Sequence, residues 1–436
     1  MFALKIFKST RLKSINLKLL NKQLIHSSNI QFIKKVHDSE YEFFSKHVCS
    51  SREIEKFNVN IGNFNGDFKK SLNLSKNQSE NSVENLLVEL EFFANSKSSI
   101  KFEKFSDSFH KTVENLQHFT DDQLINLLEI LQRIVTETAE YRAEDSFKDD
   151  LHNVLTQLDE ICCERGRIWS QHQLLKACHL WFKTKFYSKF IEGALSKLRR
   201  GFLKLPKDIF IETLFYLTTC RRNIPLTFLE VRMNGMFDEL TTNEIGIFCM
   251  SLYKNDVWIK EILTVHKLYD KAFAEIESIA EITLQYFLKQ LRVSSEPDHV
   301  EKLKKLCDVL LHKIDHYSLK TCLYIGLLGT NSGHCHQKLI EAVVNRFNKE
   351  IDQAIVKNFT ELTFMLSHFN FKTESGIEKE LMTKIIKELK LRVDEVVKVP
   401  RSLPIVMNNL AMCGIHDDEI MKTVLTEKFY RFAYGE

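Results

Sequence analysis

Proline is scarce in this chain: five occur among 436 residues, none before Pro206, and glycine numbers only thirteen. Folds made of many short strands need those residues as punctuation, so their scarcity favours helices. No CxxC pair occurs among the ten cysteines, and none of their spacings suggests a zinc site or a disulfide framework. A reducing compartment is the simple reading. No apolar run approaches the ~20 residues needed to cross a bilayer. Acidic residues are missing before Asp38, a stretch that carries eight Lys and Arg.

Motifs of catalysis are missing as well. "GLLGTNSG" (Gly326 to Gly333) is glycine-rich but lacks GxxxxGK[ST], and no GxGxxG follows a strand pattern, so it reads as a helix-to-helix turn. No HRD-type loop or DFG occurs. His334, Cys335 and His336 stand together with no distant partner pair, which does not make a zinc site. Asp417-Asp418 reads as a helix start rather than an acid/base dyad. Cys162-Cys163 reads as core. No catalytic residue, metal site or cofactor is therefore expected.

What is present falls into three parts. Residues 1–37 form a basic, Ser-containing, amphipathic start, the pattern of a mitochondrial transit peptide. The alternative is a basic arm that binds nucleic acid directly. Removing these residues takes the net charge from +3 to −5, so nucleic-acid binding by the remainder requires a local basic stripe. Residues 38–81 read as a polar linker, rich in Asn, Ser and Lys from Asn58 onward. Residues 82–436 read as one helical-repeat domain.

The repeat is carried by an i, i+4, i+7 stripe. It appears at Leu86/Leu90/Phe93, Leu124/Leu128/Leu131, Leu174/Cys178/Trp181, Phe210/Leu214/Leu217 and Ile245/Cys249/Leu252. It continues at Leu284/Leu288/Leu291, Leu319/Leu323/Gly326, Phe359/Thr363/Leu366 and Leu403/Met407/Leu410. The first anchors are 38, 50, 36, 35, 39, 35, 40 and 44 residues apart, and most intervals hold a second amphipathic helix. A two-helix unit of ~38 residues buries its stripe only against neighbours, which predicts an all-α, right-handed α-solenoid of helix-turn-helix repeats. A non-repetitive bundle would show the same generic stripe.

Basic residues recur where the first helix of each unit ends: Arg133, Lys183 and Lys185, Arg221 and Arg222, Lys254, and Arg292. Lys197, Arg199 and Arg200 lie on the helix before Arg221. Aligned along one edge of a stack, such cations would attract a phosphate backbone. Phe186, Tyr187 and Tyr253 beside them offer rings for stacking unpaired bases. The helix macrodipole alone would produce the same recurrence, at roughly 0.3–1 kcal/mol per cation.

Several stretches resemble the FAST-kinase family of mitochondrial proteins. They are "LDEICCERGRIWSQHQLLKACHLWF" (Leu158 to Phe182), "LSKLRRGFLKLPKDIFIETLFYLTTCRRNIP" (Leu195 to Pro225), "LTTNEIGIFCMSLYKN" (Leu240 to Asn255), "LKTCLYIGLLGTNSGHCHQKLIEAV" (Leu319 to Val343) and "FTELTFMLSHFNF" (Phe359 to Phe371). "PRSLPIVMNNLAMCGI" (Pro400 to Ile415) is similar to the family's FAST-type module. The likeness spans residues 151–432. It implies a matrix protein without kinase activity that acts on single-stranded mitochondrial RNA, in transcript processing, stability or translation. RNA-granule or mitoribosome-associated proteins are the implied partners, with no integral membrane contact. No RAP-like end follows the FAST-like segment, so the implied role is binding rather than cleavage. The alternative to RNA binding is a protein-interaction solenoid that serves as an assembly factor.

Overall fold

The computed structural model describes residues 42–47, 83–95, 103–138, 145–220, 224 and 229–435. Most of the transit-peptide and linker readings, and Arg221 and Arg222, lie outside them. The described residues are helical throughout, with short 3-10 turns and no strand. No described helix is long and apolar enough to cross a membrane.

Two compact units meet in sequence at Pro225–Leu226, within the stretch read above as a single domain. The first contains α1 (Val83–Asn95), α2 (Glu103–Asn115), α3 (Asp121–Thr138), α4 (Asp145–Arg165), α5 (Gln171–Thr184), α6 (Lys189–Arg200) and α7 (Lys207–Thr219). Helices of odd number pack side by side, α1 on α3, α3 on α5 and α5 on α7. Helices of even number do the same, α2 on α4 and α4 on α6.

The second unit begins with α8 (Leu229–Met236), α9 (Thr242–Lys254), α10 (Ile262–Glu275), α11 (Glu281–Ser294) and α12 (Val300–Leu311). It continues with α13 (Leu319–Gly326), α14 (Gln337–Glu350), α15 (Val356–His368), α16 (Ile377–Leu391), α17 (Val393–Lys398) and α18 (Ser402–Met412). It ends with α19 (Asp418–Val424) and α20 (Glu427–Tyr434). One row runs α9, α11, α13, α15, α18, and the other runs α10, α12, α14, α16.

Every residue of the nine stripes is buried, from Leu86 to Leu410, and all lie on the first-row helices α1, α3, α5, α7, α9, α11, α13, α15 and α18. The stripe is therefore the face that locks one helix to the helix two places on. Fully burying a Leu or Phe side chain contributes roughly 1.5–3 kcal/mol, so the stripes are a large part of what holds the first row together. Close packing fixes two glycines. A Cβ on Gly326 would meet Met365 Sδ at 2.5 Å, where α13 lies against α15. A Cβ on Gly329 would meet the His334 carbonyl oxygen at 1.8 Å, so "GLLGTNSG" is a tight turn, as its missing phosphate-loop spacing suggested.

Polar locks join the second-row helices. Arg165, the last residue of α4, donates to the carbonyls of Phe119 and Gln117 in the turn after α2. Lys197 of α6 donates to the carbonyls of Arg167 at 2.9 Å and Trp169 at 3.0 Å, in the turn after α4. Arg346 of α14 reaches the Asp315 carbonyl after α12 at 2.9 Å. Arg392, at the end of α16, donates to the carbonyls of Ile351, Asp352 and Ala354 after α14. Helix ends leave carbonyls without intrahelical partners, and here the next unit's cation satisfies them. Asp159 of α4 does the converse, accepting from the Lys189 and Phe190 amides that open α6, at 2.9 and 3.1 Å.

Arg392→Ala is expected to destabilise the second unit by about 2 kcal/mol, because it strands the Asp352 and Ala354 carbonyls, while that of Ile351 keeps the Ala354 amide. Leu288→Ala, in the buried stripe of α11, should cost about 3 kcal/mol. Denaturant midpoints of the two variants, compared with the unmutated protein, check both values.

Candidate nucleic-acid interface

The candidate cations separate into two kinds once their partners are identified. Arg133 on α3 is already paired across helices, with both terminal nitrogens on the Glu91 carboxylate of α1 and one also on Asn95 Oδ1 at 3.3 Å. Lys183 is half-buried at the end of α5, with no hydrogen bond or ion pair among the described residues. Lys185 is exposed and caps α5 in a left-handed conformation, at φ 56°. Arg199 and Arg200 are exposed at the end of α6.

In the second unit the structure brings two candidates together. Lys254 ends α9 and Arg292 lies in the last turn of α11, the adjacent helix of the same row. Between them is a cluster of rings and cations. Lys254 Nζ lies 5.9 Å from the Tyr286 ring centroid. Lys289 Nζ lies 4.4 Å from Tyr286, 4.6 Å from Tyr324 and 5.1 Å from Tyr253. Its side chain is only 8% exposed, so the ring faces replace much of its water shell. Such contacts contribute about 0.5–2 kcal/mol each as desolvation grows.

Arg292 is half-buried one turn beyond Lys289, with its guanidinium carbon 5.6 Å from the Phe364 ring of α15. Its Nε donates to Thr330 Oγ1 at 3.0 Å, and no described carboxylate lies within ion-pair distance. Burial lowers its pKa, opposed by Tyr253, Glu361 and Tyr324 nearby. The difference from the second row is chemical. Arg165, Lys197, Arg346 and Arg392 bond carbonyls, whereas Arg292 bonds a threonine hydroxyl; Arg392 lies 5.8 Å from the Phe359 ring much as Arg292 lies against Phe364. Macrodipole capping accounts for the first group and leaves the second without a reason.

Tyr286, Lys289 and Tyr324 were not singled out in the sequence. The available signal is the repeat itself, because Tyr253, Tyr286 and Tyr324 follow one another at intervals of 33 and 38 residues. Lys289 gives no such signal, since a lysine in an amphipathic helix reads as solvated until its neighbours are known. Phe186 packs 5.6 Å from the buried Trp181 ring, which places it against the core of the first unit.

The remaining chemistry-bearing residues have structural roles. His336 accepts from the Leu339 amide as the N-cap of α14 and lies 3.0 Å from Asp308. Asp417 accepts from the Ile420 amide at the start of α19. Burial pushes the Cys162 and Cys178 thiols up, so both behave as small core groups. Among the described residues no group of three or more His, Cys, Asp or Glu could hold a metal.

Glu281 positions the cluster. It opens α11 and accepts from the Ser318 amide at 3.0 Å, the Ser318 hydroxyl and the Thr321 hydroxyl at the start of α13. Burial raises its pKa, but these donors outweigh burial and hold it below the ordinary carboxylate value. A depressed folded pKa contributes stability above the unfolded value of 4.5, lost as pH falls through the lower folded value. The second unit should therefore lose stability below about pH 4.5, and Glu281→Gln should flatten that loss. Chemical unfolding measured across pH 3 to 6 tests this window.

No protein-family model matches this chain, and no curated protein matches it.

Proposed function

We propose that this protein binds single-stranded RNA in the mitochondrial matrix. It acts in transcript processing, stability or translation by holding RNA without making or breaking a bond. The observation that carries the proposal is the second unit's edge, where Lys254 and Arg292 end adjacent first-row helices among Tyr253, Tyr286, Tyr324 and Phe364. Cations supply phosphate attraction and rings supply sequence-tolerant stacking. The basic, acid-free start supports import as a transit peptide, and the resemblance to the FAST-kinase family supports the same compartment and ligand. Alternate-helix packing within each unit supports a right-handed α-solenoid of helix-turn-helix repeats.

A protein-interaction solenoid is the second reading. It is favoured by the exposed apolar side chains Val231, Trp258, Ile262 and Leu263 around α8 and the start of α10. Partners retained after ribonuclease treatment of the purified complex would support that reading.

Charge reversal at Lys254 together with Arg292 is expected to weaken RNA binding at least tenfold, with a flatter salt dependence by about 0.7 per lost phosphate contact. The helical circular dichroism signal should persist. Anisotropy titrations of labelled single-stranded RNA at several salt concentrations give both values, and unchanged affinity would remove the proposed edge.

A further inference from the structure

Arg292 differs from the other arginines whose contacts define the array. Arg133 is matched to Glu91, Arg346 to Asp315 and Glu350, and Arg392 to Glu388 and three carbonyls. Arg292 has one hydrogen bond, through Nε to Thr330 Oγ1. Its two terminal nitrogens make no hydrogen bond to a described residue and are not among the fully buried polar atoms. The Thr330 bond and the Phe364 ring fix the guanidinium plane, so its open fork is held in place without further loss of side-chain freedom.

A row of rings starts beside that fork. Phe364 lies 5.3 Å from His368, one turn further along α15, and His368 lies 5.2 Å from Phe369. His368 is exposed while Phe364 and Phe369 are half-buried, so the histidine is the accessible member. Glu361, one turn back on α15, lies near enough to act on Arg292 electrostatically without pairing with it.

We infer that the ends of α11 and α15 form one nucleotide subsite of single-stranded RNA: Arg292 receives a backbone phosphodiester and the exposed His368 ring stacks the adjoining base. The inference rests on the RNA reading above and specifies where one nucleotide sits. A planar fork suits a phosphate in two-point contact, and Lys254 at the end of α9 adds longer-range attraction. Ring stacking accepts any base, so this subsite gives affinity rather than sequence choice.

The test is anisotropy with labelled oligoadenylate across a salt series, using the full chain. Arg292→Gln should weaken binding and flatten the log–log salt slope by about 0.7, the value for one single-strand phosphate contact. Arg292→Lys should keep the slope while losing affinity, because charge remains and the fork is gone. His368→Ala, at an exposed position, should weaken binding on the order of tenfold with the slope unchanged. An unchanged slope in Arg292→Gln, or unchanged affinity in His368→Ala, overturns the subsite while RNA binding by the unmutated protein stands. Equally tight binding of adenosine monophosphate alone overturns it too, in favour of a free-nucleotide site. Absence of RNA binding by the unmutated protein overturns both readings.

Discussion

A helix buried on several faces cannot stand alone in water, and first-row helices such as α7, α9 and α11 are buried along most of their length. Within the second unit each first-row helix packs on the next of its row, so α9 needs α11, α11 needs α13 and α13 needs α15. That dependence sets the spacing of everything else. Within the second unit, residues on successive first-row helices become neighbours in space, as Tyr253, Tyr286 and Tyr324 do around Lys289. The Tyr253, Tyr286 and Tyr324 cluster around Lys289 is a direct product of that register.

The two rows use positive charge differently. Second-row cations serve the fold. Arg165, Lys197, Arg346 and Arg392 reach back one unit and close carbonyl ends that would otherwise lack partners. Cations of both rows in the second unit lie against aromatic faces, and Arg292 differs in bonding a hydroxyl rather than a carbonyl or carboxylate. The first unit gives a more mixed answer. Arg133 is taken up by Glu91, while Arg199 and Arg200 are exposed on a second-row helix.

Periodicity made the all-helical fold readable in advance. The i, i+4, i+7 stripe predicted the buried face of each first-row helix, down to weak members such as Thr363 and Gly326. Asp417 was legible as a helix start, whereas the capping role of His336 was not. The division at Pro225 was not readable, because stripes on either side have the same form and only their contacts distinguish the units. Lys254 and Arg292 were legible as helix-end cations, but Lys289 was not. Its significance lies in three rings from three helices, and amphipathic periodicity carries no information about which polar side chains converge across a stack. Nor was the pairing of Arg133 legible, since its partner Glu91 sits 42 residues away on the neighbouring helix α1.

Photochemical crosslinking of RNA to the protein, followed by identification of the crosslinked residues, tests the central claim most directly. Crosslinks concentrated on Tyr253, Tyr324, Phe364 and His368, along the ends of α9, α13 and α15, are the predicted result. Crosslinks confined to the second-row helices α10, α12, α14 and α16, or none above background, would contradict it.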